Sequence, residues 1–145
     1  KSEYKAGDNV WRNTRYNKGF VLNALFGKEF YFANNRKVLD VNARVSVTGG
    51  ERYSPILESQ SVAQKRVIYD ESRAFSEQFR TLTYADLTVN YRINHHKSSS
   101  VFSFQMKNVL GAPIYIDHNY NYQTGQIELS KATLIIPNIS YKIEF

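Results

Sequence analysis

The stretch Pro137-Asn-Ile-Ser-Tyr-Lys-Ile-Glu-Phe145 decides the fold. Ile139, Tyr141, Ile143 and Phe145 fall on one side of a period-two pattern, and Asn138, Ser140, Lys142 and Glu144 fall on the other. Successive side chains of a β-strand point to opposite faces, so this is a strand with one apolar and one polar face. Such a strand suits a membrane barrel wall, apolar towards lipid and polar towards the lumen. It also suits a half-buried strand of a soluble antiparallel sheet. Alternation alone does not separate the two; strand length and connections do.

The same pattern recurs upstream. A strand is predicted from Gly19 to about Phe32, with Phe20, Leu22, Ala24, Phe26, Phe30 and Phe32 on one face and Lys28 interrupting it. A second follows, with Leu39, Val41, Ala43, Val45 and Val47 alternating with Asp40, Asn42, Arg44, Ser46 and Thr48 up to Gly49-Gly50. In a third, Ala85, Leu87, Val89, Tyr91 and Ile93 oppose Asp86, Thr88, Asn90, Arg92 and Asn94. A fourth sets Phe102, Phe104 and Met106 against Ser103, Gln105 and Lys107, and the last runs from about Thr133 to Phe145. These runs match the roughly 9–11 residues of a tilted membrane-barrel strand, whereas soluble strands are more often about five or six residues long.

The connections alternate in length. Turns at about 33–37 and 95–100 are short, and loops at about 49–81 and 110–132 are long. In an antiparallel meander the short turns share one end of the sheet and the long loops the other, as in outer-membrane barrels. The expected fold class is therefore all-β, an antiparallel meander of about five long strands forming part of a transmembrane β-barrel. The alternative is a soluble β-sheet or β-barrel ligand-binding module.

Composition agrees. Aromatic residues make up 14% of 145, with eleven Tyr and nine Phe, which favours strands. The longest apolar runs, such as Leu134-Ile135-Ile136, are far too short for a spanning helix. There is no cysteine, hence no disulfide framework or thiolate metal site. The chain starts at Lys1 with no apolar stretch behind a basic start, so no signal peptide is expected. The net charge is +6, but its basic residues are scattered, which argues against nucleic acid. An enzyme is not expected: no Gly-x-Ser-x-Gly, phosphate loop or dinucleotide fingerprint occurs. No cofactor or metal site is expected either; Asp117-His118-Asn119 offers donors in a polar loop, and Tyr69-Asp-Glu-Ser lacks the spaced acids and glycine of a calcium loop.

Several stretches together resemble the C-terminal end of a TonB-dependent outer-membrane receptor, most like the SusC-type receptors of Bacteroidota. They are Arg15-Tyr-Asn-Lys-Gly-Phe-Val-Leu-Asn-Ala-Leu-Phe-Gly-Lys-Glu-Phe30, Gly49-Gly-Glu-Arg-Tyr-Ser-Pro-Ile56, Tyr69-Asp-Glu-Ser-Arg-Ala-Phe-Ser-Glu-Gln-Phe79, Tyr84-Ala-Asp-Leu-Thr-Val-Asn-Tyr-Arg-Ile-Asn94, Asn108-Val-Leu-Gly111 and the terminal segment. The resemblance covers nearly the whole chain in order. It implies that residues 1–145 are the C-terminal segment of a barrel of about 22 strands filled by a plug. Its function would be TonB-dependent uptake of a siderophore, cobalamin or oligosaccharide across the cell outer membrane of a Gram-negative bacterium.

The partners then implied are the remainder of the barrel and its plug domain, TonB acting through that plug, the barrel assembly machinery, the lipid bilayer and a surface lipoprotein. Ile139, Tyr141, Ile143 and Phe145 become an assembly signal. Because lipid cannot satisfy charged groups, Arg44, Asp86, Asn90, Arg92 and Lys142 are expected to face the lumen. Tyr31, Phe32, Tyr91 and Phe145 are candidates for an interfacial aromatic girdle. Tyr115, Asn119, Tyr120 and Tyr122, in the second long loop, are candidate ligand contacts, since aromatic faces with amides suit neutral polar ligands.

Overall fold

The alternating stretches form one five-stranded antiparallel sheet in the computed structural model, which describes residues 1–34 and 36–145. Its strands are β3 (Val21–Phe32), β4 (Lys37–Thr48), β7 (Leu82–Asn94), β8 (Ser99–Lys107) and β11 (Ile136–Glu144). They lie in the order β11-β8-β7-β4-β3, a meander in sequence order with β3 and β11 at its edges. Each strand holds at least nine residues. The remaining elements are β1 (Glu3–Lys5), β2 (Trp11–Asn13), β5 (Arg52–Tyr53), α1 (Glu58–Gln64), β6 (Glu77–Gln78), β9 (Ile114–Asn121) and β10 (Gln126–Ala132). Among the described residues no helix is long and apolar enough to cross a membrane.

The chain divides into two compact units. One comprises Leu22–Val47, Thr83–Ala112 and Leu134–Phe145, and holds the sheet. Its register carries the sequence alternation across strands. Leu87, Met106 and Pro137 stand in one cross-strand row; Val89, Phe104 and Ile139 form the next, then Tyr91, Phe102 and Tyr141. The intervening rows are Thr88–Gln105–Asn138, Asn90–Ser103–Ser140 and Arg92–Val101–Lys142. A slip of one residue would exchange these faces, so the pattern fixes the register.

The two short connections behave differently in detail. The β7–β8 turn is closed by the His95 amide donating to the Ser98 carbonyl at 2.8 Å and by Ser99 Oγ on Asn94 Oδ1 at 2.9 Å. At the β3–β4 turn Ala33 and Asn34 take left-handed φ values of 51° and 53°. Asn35, also within the expected turn, lies outside the described residues.

The chain leaves β8 and returns to β11 through a single buried side chain. Asn108 Nδ2 donates to the Ala112 and Leu134 carbonyls at 3.0 Å each, and its Oδ1 accepts the Ala112 amide at 2.9 Å. Its own amide donates to Asp86 Oδ1 at 3.0 Å. The left-handed φ of 55° at this position suits asparagine better than most residues.

The second unit, Lys1–Val21, Thr48–Leu82 and Pro113–Thr133, corrects the reading of the long connections as loops. Residues 49–81 contain β5, α1, a single 3-10 turn at Glu71–Arg73 and β6; residues 110–132 contain the β9–β10 hairpin. Strand β1 pairs with β2 in a further hairpin that the alternation did not predict. Close backbone approach explains Gly50 here, where a Cβ would stand 2.3 Å from the Phe79 carbonyl oxygen.

Replacing Asn108 with Ala removes three hydrogen bonds and leaves the Ala112 and Leu134 backbone groups without that partner. It is expected to destabilise the fold by about 2–3 kcal/mol. The denaturant midpoint and hydrogen exchange at the Ala112 amide report it; an equally protected Ala112 in the variant would refute the clamp.

Candidate functional site

The sheet has a charged face with internal pairing. Arg44 Nε donates to Asp86 Oδ2 at 3.0 Å. Asn90 Nδ2 and Asn42 Nδ2 both reach Asp40 Oδ2, at 2.9 and 2.7 Å. Glu144 receives Lys142 at 2.8 Å and faces Arg92 at 3.7 Å. Two grooves lie on this face. One of about 440 Å³ runs past Arg44, Asp86, Thr88 and Gln105, and one of about 660 Å³ past Asp40, Asn90, Arg92 and Lys142. The structure thus brings Arg44, Asp86, Asn90, Arg92 and Lys142 to one face. Exposed ion pairs of this kind contribute about 1 kcal/mol or less in water, so they order the face more than they hold the sheet.

The opposite face is apolar and has no apolar cover. The buried apolar side chains among the described residues are Ala74 and Leu82, neither of them in the sheet unit. Phe26 is 63% and Ile139 80% exposed, while Phe30, Phe32, Phe102, Tyr141 and Ile143 are exposed too. The Phe102 and Tyr141 rings pack at 4.6 Å, side by side on that face. Phe145 stands wholly exposed just beyond β11.

Tyr31 does not belong to this face. Its hydroxyl donates to the Glu29 carboxylate and it borders the groove of Arg92 and Lys142. The reason is parity: Leu22, Ala24, Phe26, Phe30 and Phe32 of β3 are even-numbered, whereas Tyr31 shares the odd positions with Asn23, Leu25 and Glu29. Tyr91 does lie in the apolar rows.

The second unit has a site of another character. A stack of rings runs through it, Tyr53 on Phe79 at 4.4 Å and Phe79 on Tyr115 at 5.8 Å, with the His118 ring 4.9 Å from Tyr53. In the β9–β10 register Ser130 opposes Asp117 but Lys131 opposes Tyr115, so Ile116 is a bulged residue. The bulge shifts the alternation by one and sends Tyr115 and His118 to the same cluster. Tyr69 donates to Asp117 Oδ1 at 2.5 Å, and burial, then this carboxylate, raises its phenol well above the usual range. Arg15 is held by Glu51 at 2.8 Å and the Ile116 carbonyl at 3.1 Å.

The candidate ligand residues of 110–132 do not converge. Tyr115 joins the ring stack, Asn119 accepts from Ser130 Oγ at 2.8 Å, and Tyr120 meets Tyr122 edge-on at 5.0 Å. Tyr122 is largely exposed. Among the described residues no group of three or more acidic, His or Cys side chains is placed to hold a metal ion.

No protein-family model, curated protein or solved structure matches the chain.

His118 yields a pH dependence. Burial lowers its pKa below the ordinary 6.5, against the opposing pull of Asp117, and its Nδ1 is buried without a hydrogen-bond partner among the described residues. The neutral ring is favoured on folding, so this contribution is complete above about pH 6.5 and is lost as pH falls towards the depressed folded value. Asp70, bonded first by Ser72 and then by Arg73, has a pKa of about 2 against 3.8, so its contribution fades in a separate window between those values. The denaturant midpoint of the chain is expected to be lower at about pH 5 than at pH 7, and His118→Phe to abolish that difference. A midpoint difference unchanged in the variant would refute the assignment to His118.

Proposed function

We propose that the chain is the C-terminal part of the wall of a TonB-dependent outer-membrane receptor for nutrient uptake, of the siderophore, cobalamin or oligosaccharide class. The single observation that carries this reading is the exposed apolar face running across strands of nine or more residues, with no buried apolar side chain in the sheet unit among the described residues. Covering one large apolar side chain is worth about 1.5–3 kcal/mol, so a face of this extent needs an apolar surround. Lipid supplies one for alternate residues of a β-sheet, provided that the charged face looks into a lumen.

Two open edges carry the reading further. The outer sides of β3 and β11 have no strand partner among the described residues. Hydrocarbon cannot satisfy their backbone groups, and about eight strands are needed to close even a filled barrel. The reading therefore calls for the remainder of the barrel and its plug, with TonB acting through the plug. It also calls for assembly machinery that reads the Ile139, Tyr141, Ile143 and Phe145 stripe, and for an outer-membrane location.

Because the chain has no cysteine, single-cysteine reporters test this cleanly. A polarity-sensitive label placed in turn at Ile139, Ser140, Tyr141, Lys142 and Ile143, with the protein in bilayers, should be quenched by lipid-borne spin labels at the odd positions alone. Uniform quenching or none would sink the membrane reading. In the same setting Val89→Arg, on the apolar face, is expected to cost about 2–4 kcal/mol, and Asn90→Arg far less.

A further inference from the structure

We propose that the unit formed by residues 1–21, 48–82 and 113–133 binds a small zwitterion with a compact apolar group: an α-amino acid, or the carboxyl-terminal residue of a peptide. The place is a cavity of about 190 Å³ bordered by Arg15, Arg52, Tyr53, Glu71, Phe75 and Phe79. It lies wholly within one unit, so its chemistry does not depend on what covers the sheet.

The cations are ordered before any ligand arrives. Arg15 is anchored through Nε on Glu51 and one Nη on the Ile116 carbonyl, and Arg52 through Nε on the Asn17 carbonyl at 3.0 Å and one Nη on that of Ser76 at 3.4 Å. Among the described residues these contacts use two of the three nitrogens of each guanidinium. A fixed fork loses little entropy on meeting a carboxylate and matches its planar geometry.

The same cavity carries two carboxylates, Glu71 and Asp117. Asp117 is engaged by Tyr69 and by the His118 amide at 2.8 Å, while Glu71 lies exposed on the 3-10 turn. Arg15 is already ion-paired with Glu51, whereas Arg52 is bonded to backbone carbonyls, so the cavity presents charges of both signs in separate places. A phosphate would bring further negative charge against the carboxylates, and an uncharged sugar would hydrogen-bond these groups without neutralising any of them. A zwitterion matches both signs, its carboxylate towards the arginines and its ammonium towards Glu71.

The walls favour an apolar side group. Tyr53, Phe75 and Phe79 are three of the residues that border the cavity. Phe75 adopts a left-handed φ of 55°, uncommon for a bulky residue, and is fixed there by its amide donating to Ser54 Oγ at 3.2 Å. Backbone strain of this sort clusters at ligand sites. The volume is below the roughly 300–1,000 Å³ of a drug-sized cleft, so it admits one compact group and not a long chain.

The test uses the full 145-residue chain folded in detergent micelles. Calorimetric or NMR titration would compare glycyl-phenylalanine, its C-terminal amide, its N-acetyl form and free phenylalanine, with glucose as control. Saturable binding of the dipeptide or the free amino acid is expected, weakened by about tenfold or more on amidation, since a charge-assisted pair is lost. Equal binding of free phenylalanine identifies an amino-acid site, and preference for the dipeptide a peptide-terminus site. Arg52→Gln should abolish binding; as this side chain also holds backbone carbonyls, Glu71→Gln provides the variant that leaves the fold intact. Glu71→Gln should weaken the free-amine dipeptide and leave the N-acetyl form unchanged. No saturable binding to a chain shown to be folded by circular dichroism, an amide bound as tightly as the acid, or glucose bound in place of the zwitterions would overturn the proposal.

Discussion

A β-strand cannot set its two faces independently, because one backbone serves both. In this protein β7, β8 and β11 share a register in which every second cross-strand row is apolar, Leu87–Met106–Pro137, Val89–Phe104–Ile139, Tyr91–Phe102–Tyr141. The rows between them hold amides, hydroxyls and charges. Among the described residues Ala74 and Leu82 are the buried apolar side chains, and Phe102, Ile139 and Tyr141 of the apolar rows stand exposed. The sheet therefore needs a divided environment, apolar on one side and wet on the other. The charged pairing of Arg44 with Asp86 and of Lys142 with Glu144 follows from that division.

The other unit is held by different means. Its rings stack in a short column, and many of its bonds run from side chains to backbone, as with Arg52 on two carbonyls and Ser61 Oγ accepting the Ile68 amide at 2.9 Å. Such contacts are directional, which suits a surface that must present groups in fixed places. The functional candidates accordingly differ: a face defined by solvent in the sheet, a small cavity lined by charges of both signs in the second unit.

Much of the sheet was legible because period-two alternation is a strong signal when nothing interrupts it. Leu39 to Val47, Ala85 to Ile93 and the terminal stripe as far as Ile143 all lie in strands. The ends were less legible: β3 starts at Val21 and β11 at Ile136, inside the expected bounds. Tyr31 was misplaced by its aromatic character when its odd position already assigned it to the polar face. Helix α1 escaped notice for physical reasons. It has only seven residues, Leu57 gives it no side-chain cap, and its left-handed C-cap is Lys65 instead of glycine. The bulge at Ile116 carries no residue signature, so the meeting of Tyr115 with His118 could not be read from spacing. The first hairpin had a usable signal, Gly7-Asp-Asn9, whose residue types favour a turn.

Asn108 gives the fold a modular quality. One amide side chain holds the Ala112 and Leu134 carbonyls at once, so the ends of the intervening segment are brought together whatever lies between them. Closing a longer insertion at such a junction adds only about 0.6 kcal/mol for each doubling of its length. The β9–β10 hairpin thus leaves and rejoins the sheet at one point, while its own residues answer to the second unit, where Ile116 and Asp117 hold Arg15 and Tyr69. The asparagine lets one continuous chain serve both units without disturbing the register of β8 and β11.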